Sequence, residues 1–140
     1  MSARPRPAPP SGDPPPRAAE LDDGTALDLE ALAAEVCARY RAEYPDEEER
    51  YGPAGELWCR HDNQHLLNWA ALHTRRYVVL DEQVAWLAKV LEAREFPLDR
   101  LARDLDIGAD VVRARVPSGG PMAEALSAAA AMVRARPTFL

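Results

Sequence analysis

Prolines divide this 140-residue chain into a tail and a series of helical segments. Seven of the thirteen prolines lie in residues 1–24, among Ser, Gly and Asp and with almost no large apolar side chain. Such a segment cannot bury enough apolar surface to offset the entropy lost on ordering, so it predicts a disordered, partly polyproline-II tail. Residues 4–10 match the spacing of an SH3-type ligand, although such tails also serve as plain solubilising arms. We expect one domain over residues 25–136 and a short tail over 137–140.

Apolar residues recur at intervals of three and four along most of this domain, the spacing that places them on one face of a helix. Thr25 or Asp28 can cap the first helix, and Pro45 and Pro97 follow helix ends. Helices are predicted over residues 28–44, 53–74, 81–95, 98–105, 109–116 and 121–135. Residues 77–80 are β-prone but have no partner strand, which indicates an irregular connection. The predicted fold class is all-α, a small helical bundle of about four longer helices plus a short helix-turn-helix-like hairpin.

Composition and charge restrict the classes of protein to which the chain can belong. Hydrophobic residues make up 47% and charged residues 29%, as in soluble globular proteins. No apolar run approaches the roughly 18 residues that a membrane span requires, and the N-terminus lacks the apolar core of a secretory signal. Cys37 and Cys59 are too few for a disulfide framework and favour reduced thiols in the cytoplasm. Abundant Ala, Arg and Pro, with Lys89 as the single lysine, are typical of a bacterial GC-rich gene.

The segment 81–116 contains the apolar and small residues of a known DNA-binding motif. They are Leu101, Ala102, Leu105, Ile107 and Val112. With the preceding helix, the segment resembles the helix-turn-helix of bacterial DNA-binding domains, without indicating a specific family. The resemblance implies a turn at Asp106, a recognition helix over 109–116 and DNA contacts from Arg113 and Arg115. The formal net charge of −6 means that DNA binding would need a local basic face, and no basic stripe is visible in the sequence.

All three histidines and two of the three tryptophans lie within the sixteen residues 58–73. On a helix, Trp58, His61, His65 and Trp69 fall on the same half of the cylinder. His61 and His65, one turn apart, could bind a metal ion, although the sequence offers no second cluster of His or Cys to complete the site. Otherwise this half either packs against the rest of the bundle or binds a partner, since aromatic residues anchor interfaces. No activated nucleophile is apparent beside the histidines.

The sequence therefore predicts a protein that is not an enzyme and needs no cofactor. We expect a small cytoplasmic helical regulatory or adaptor protein that contacts a protein partner or its own copy, and no membrane. The expected contact residues are Trp58, His61, His65 and Trp69, with the acidic residues 47–49 as a docking surface for a basic partner. The alternative is a helix-turn-helix DNA-binding transcriptional regulator that uses Arg113 and Arg115. The minor alternative is a metal- or ligand-binding helical protein that uses His61 and His65.

Overall fold

The computed structural model describes residues 7–140, which form a mostly helical fold, as predicted. Its elements are β1 (Ala18–Glu20), β2 (Ala26–Asp28), α1 (Leu29–Glu43), α2 (Glu47–Tyr51), α3 (Pro53–Thr74), α4 (Leu80–Ala93), α5 (Leu98–Arg115) and α6 (Gly120–Ala135). Within this part of the chain, no helix has the length and apolar character needed to cross a membrane. The disorder predicted for residues 1–6 lies outside the described residues.

Helix α5 forms the centre of the bundle. It packs along α6 and against α1, while α1 packs on α3 and α4 contacts α6. Small buried residues on α5 and α6 allow the two helices to approach closely, among them Ala102, Ala109, Ala123, Ala129 and Ala130. Larger side chains fill the remaining core, including Leu67, Leu105, Met122 and Leu126. Removing this apolar surface from water stabilises the fold.

Four of the predicted helices are confirmed within one or two residues of their expected ends. They are the predicted helices over 28–44, 53–74, 81–95 and 121–135. The carboxylate of Asp28 accepts a hydrogen bond from the backbone N–H of Ala31 and so caps α1, one of the two capping residues expected. Pro53 and Pro121 lie in the first turns of α3 and α6, where backbone N–H groups have no partner within the helix, so the N–H that proline lacks is not needed.

The predicted break between two short helices at 98–105 and 109–116 is wrong. Residues 98–115 form the single helix α5, and Asp106 continues it instead of forming a turn. One apolar face runs the whole length of α5, because Leu105, Gly108 and Val112 are all buried. Packing of that face along α6 stabilises the continuous helix, and Arg134 of α6 also pairs with Asp106 at 2.6 Å.

Residues 18–28 form a β-hairpin, whereas the sequence analysis expects a disordered tail up to residue 24. Strands β1 and β2 pair antiparallel, with Ala19 opposite Leu27. Gly24 has a φ of +85°, a backbone conformation that glycine adopts without strain and that the tight turn requires. The hairpin forms because Leu21 and Leu27 are both buried in the main core. The ordered domain therefore begins before residue 25.

The C-terminal residues 137–140, predicted as a tail, return to the bundle. Phe139 is buried, and its backbone N–H donates to the Glu92 carboxylate at 2.7 Å. The hydroxyl of Thr138 donates to the other oxygen of the same carboxylate. One acidic side chain of α4 thus holds the end of the chain in place.

Candidate functional site

Helix α3 turns opposite sides toward the core and toward the surface. Its buried residues are Asn63, Gln64, Leu66, Leu67, Ala70 and Ala71. These residues belong to the half of the helix that lacks the histidines and tryptophans. Trp58, His61, His65 and Trp69 are consequently only partly buried and lie together along the other side. The structure brings the four predicted contact residues into one row.

Five aromatic rings form a continuous row, which we call the aromatic ridge. In order they are Trp58, His61, His65, Trp69 and Trp86. Successive ring centroids are 5.1, 4.8, 5.8 and 6.4 Å apart, distances at which aromatic rings attract one another. Trp86 comes from α4 and is 58% exposed, so it extends the ridge across the junction of two helices.

The sequence analysis did not identify Trp86 as a member of this site. The signal was present in the helical periodicity. Val84, Leu87 and Ala88 define the buried face of α4, and Trp86 lies about 200° around the helix from Val84. What the periodicity could not show is that α3 and α4 bring Trp69 and Trp86 into contact.

The two imidazoles of the ridge differ in their surroundings. His61 Nδ1 lies 3.1 Å from a carboxylate oxygen of Asp62. Burial lowers the pKa of His65, and the neighbouring His61 lowers it further, so the His65 ring is mostly uncharged at neutral pH. Across residues 7–140, no hydroxyl or thiol hydrogen-bonds to either imidazole.

The proline-rich N-terminal segment lies against α3 and receives two hydrogen bonds from it. The indole N–H of Trp58 donates to the carbonyl of Ala8 at 2.5 Å. The side-chain amide of Gln64 donates to the carbonyl of Pro16 at 3.1 Å. Both acceptors lie in the stretch that runs from Pro7 to Pro16 and contains six prolines. Two side chains of α3, almost two turns apart, therefore hold this segment.

A cavity of about 680 Å³ lies beneath this segment, between α3, α4 and α5. Its apolar wall includes Leu66, Leu87, Leu91, Phe96 and Leu101, and residues 7–9 and Ser11 contribute to its cover. Asp104 and Asn63 are the buried polar residues of its α3–α5 wall. The Asn63 amide donates to the Asp104 carboxylate at 3.1 Å and to the Cys59 carbonyl at 2.9 Å.

The carboxyl group of Asp104 is strongly perturbed. Burial raises its pKa to about 7, and the negative charges of Asp62 and Glu47 shift the pKa in the same direction. The hydrogen bond from Asn63 opposes this shift but does not cancel it. The cavity therefore contains a carboxyl group that changes its charge near neutral pH.

The thiols of Cys37 and Cys59 lie beside the same amide. The Nδ2 atom of Asn63 is 3.6 Å from the Cys37 sulfur and 3.5 Å from the Cys59 sulfur. The neighbouring Cys37 thiol and burial both raise the pKa of Cys59, so its reactive thiolate form is disfavoured. Both cysteines are free.

The acidic residues 47–49 do not form the free docking surface that the sequence predicted. They lie in α2, and Glu47 is buried, accepting hydrogen bonds from the Tyr40 hydroxyl at 2.5 Å and from Arg100 at 2.8 Å. Glu48 pairs with Arg41 at 2.6 Å. Two of the three charges are thus already neutralised within the bundle, by side-chain contacts from α2 to α1 and α5.

The arginines expected to contact DNA are engaged by acidic or hydroxyl groups. Arg113 lies 3.5 Å from Asp110 and donates to Ser127, and Arg115 pairs with Glu35 at 2.7 Å. Arg100 and Arg103 of the same helix also pair with carboxylates. The four side chains therefore lie among compensating negative charges. DNA binding through Arg113 and Arg115 stays a prediction.

A metal site at His61 and His65 has no third ligand in the described part of the chain. Between residues 7 and 140, no group of three His, Cys, Asp or Glu side chains is placed to hold a metal ion. His61 and His65 lie in edge-to-face contact, with their ring planes at 65°. Metal binding by this pair is not supported by any further side chain.

Comparison with known proteins gives no assignment. No protein-family model, no curated protein and no solved structure matches this chain. Three features of the structure carry chemistry: the aromatic ridge, the two hydrogen bonds from α3 to the proline-rich segment, and the cavity beneath that segment.

Proposed function

We propose that this protein is a small cytoplasmic adaptor that binds extended, proline-rich segments of partner proteins on helix α3. The observation that carries the proposal is the hydrogen bond from the Trp58 indole to the Ala8 carbonyl, within the sequence Pro7-Ala8-Pro9-Pro10. Residues 7–16 of the chain itself lie on this part of α3, which we call the groove, and we infer that a partner segment of the same chemistry replaces them.

The chemistry of the contact favours proline-rich chains. A polyproline-II chain makes no internal hydrogen bonds, so its carbonyls are free to accept from a binding surface. Aromatic grooves recognise such chains by packing against the pyrrolidine rings and by donating to the carbonyls. Trp58 offers a ring face and an N–H together, and Gln64 offers a second donor to the Pro16 carbonyl.

The rest of the aromatic ridge suits a longer segment of the same kind. Its rings are 4.8 to 6.4 Å apart, and two residues of polyproline II rise by about 6 Å. Trp86 at the far end of the ridge is largely exposed and available for contact. His65, mostly uncharged at neutral pH, adds little repulsion against a segment with the tail's own sequence, which contains Arg4 and Arg6.

The internal tail should act as a competitor of any partner. A segment tethered to the same chain has an effective concentration on the order of millimolar at a site that it can reach. A partner segment must therefore bind more tightly than the tail, or be present at high local concentration. This arrangement supports a regulatory adaptor, whose groove becomes available only to a strong partner.

Peptide binding by the full chain tests the proposal. The probe is a fluorescein-labelled peptide with the sequence of residues 4–12, and fluorescence polarisation gives its Kd. We expect a tail variant, with Gly or Ser at positions 7–10, to bind the peptide about tenfold more tightly than the wild type, because the internal competitor is lost. Adding Trp58→Phe to the tail variant should weaken binding about tenfold, because the ring stays and the N–H donor is lost.

Two controls give the result its meaning. A peptide with every proline replaced by alanine should not bind, and Trp86→Phe, distant from the tail contact, should weaken binding less than Trp58→Phe. The proposal would be overturned if the proline-containing and alanine-substituted peptides bound with equal affinity. It would also be overturned if adding Trp58→Phe to the tail variant left the Kd unchanged. A wild-type dimer in size-exclusion chromatography that becomes monomeric in the tail variant would instead assign the groove to a second copy.

A further inference from the structure

We propose that the cavity beneath the proline-rich segment binds a small apolar amine, whose protonated nitrogen pairs with the carboxylate of Asp104. The proposal goes beyond peptide binding on α3. Trp58 and Ala8 line the cavity as well, but the ligand contact argued here is made by Asp104. The size of the cavity, the position of one buried carboxylate and the charge of the surrounding wall support it.

The dimensions and lining of the cavity are those of a small-molecule site. Its volume of about 680 Å³ lies within the range of roughly 300 to 1,000 Å³ typical of ligand pockets. Leucines from three helices, Leu66, Leu87 and Leu101, form apolar walls, and Phe96 adds an aromatic surface. Sites of this kind combine a mostly apolar lining with a few polar groups that orient the ligand.

Asp104 is the polar group best placed to orient a ligand. Asp104 is only 7% exposed, and its Oδ1 atom accepts a hydrogen bond from the amide of Asn63. Within the described chain, no Lys, Arg or His nitrogen lies within salt-bridge distance of this carboxylate. A buried carboxylate without a counter-ion is costly, and a bound cation would supply the missing charge.

The surrounding charges favour a cation over an anion. Asp62 and Glu47 also line the cavity, and both raise the energy of a negative charge at Asp104. Arg94 is the cationic side chain of the lining, and its guanidinium lies over the Trp58 ring, 6.0 Å from the centroid. Glu47 is already paired with Arg100. A carboxylic acid ligand would therefore meet repulsion in this cavity, whereas an ammonium group would meet attraction.

The experiment compares three probes with the same apolar chain. Octylamine, octan-1-ol and octanoate are titrated into the full-length protein at pH 8, where Asp104 is largely ionised, and calorimetry gives each Kd. We expect octylamine to bind at least about tenfold more tightly than octan-1-ol, and we expect octanoate not to bind. Asp104→Asn should remove the preference for the amine and leave the affinity for octan-1-ol unchanged.

Two further variants make the result decisive. Asp110→Asn, on the same helix but at an exposed position, should bind octylamine like the wild type. Leu91→Trp, which fills part of the cavity, should weaken both octylamine and octan-1-ol. Equal binding of the amine and the alcohol, or octylamine binding that survives Asp104→Asn, would overturn the proposal. Tighter binding of octanoate would assign the cavity to anions and would also overturn it.

Discussion

Replacing Asp104 with Asn is expected to raise the free energy of unfolding by about 4 kcal/mol at pH 8 and to change it little at pH 4. Burial raises the pKa of this carboxyl from its ordinary value of 3.8 to about 7 in the folded protein. The folded protein thus binds a proton more tightly than the unfolded chain, and the wild type loses stability as the pH rises from about 4 to about 7. Asn cannot ionise, so the variant escapes this loss.

Urea unfolding at pH 4, 6 and 8, followed by tryptophan fluorescence, measures the effect. Asp110→Asn is the matched control, because Asp110 is exposed on the same helix. Its free energy of unfolding should change by less than about 0.5 kcal/mol at every pH. A gain for Asp104→Asn that is the same at pH 4 and pH 8, or a loss at pH 8, would contradict the account of this carboxyl group.

Replacing Glu47 with Ala is expected to lower the free energy of unfolding by about 2–4 kcal/mol. The Glu47 side chain is 7% exposed and accepts hydrogen bonds from the Tyr40 hydroxyl and from Arg100. Its removal leaves the Tyr40 hydroxyl buried without this acceptor and leaves Arg100 with Asp46 alone. The guanidinium of Arg100 also lies over the Tyr44 ring at 4.4 Å, so disorder of this side chain would affect α1 as well.

Glu49→Ala provides the matched control for this prediction. Glu49 lies in the same short helix and carries the same side chain, but it is exposed. We expect its removal to change the free energy of unfolding by less than about 0.5 kcal/mol. If thermal and urea unfolding gave the same loss for the two variants, Glu47 would not be the structural contact described here.

The long helices could be predicted from the sequence because their periodicity is strong and their ends are marked by Pro53, Pro121 and the cap Asp28. The predicted break at Asp106 was wrong because the apolar face of the helix continues past the local helix-turn-helix pattern. The β-hairpin was missed because its strands have three residues each, and only burial of Leu21 and Leu27 in a distant core stabilises them.

The candidate site could be predicted only in part. Helical geometry was sufficient to place Trp58, His61, His65 and Trp69 in one row. Three features depend on contacts between residues far apart in the chain, so no local pattern shows them. They are the ring contact of Trp86 with Trp69, the hydrogen bond from Trp58 to Ala8, and the hydrogen bond from Asn63 to Asp104. The burial of Glu47 could not be predicted for the same reason, since its partner Arg100 lies 53 residues away in the chain.

Asp104 illustrates why a residue that lowers stability can indicate function. A carboxyl group buried beside an apolar cavity destabilises the folded protein at pH 8, and Asn would fill the same space without that cost. If the cavity binds a cation, the carboxylate has a role that Asn cannot fill. The stability measurement and the octylamine titration therefore test two consequences of the same group by independent means.

Hydrogen exchange at the Trp58 indole N–H tests the central proposal most directly, and NMR can follow the three tryptophan indoles separately. In the wild type we expect the Trp58 indole to exchange more slowly than that of Trp86, because the Ala8 carbonyl accepts from it. Protection should fall when positions 7–10 become Gly or Ser, and it should return when the peptide of residues 4–12 is added. Protection that is the same without the prolines, or that the peptide fails to restore, would contradict a binding site for proline-rich chains on α3.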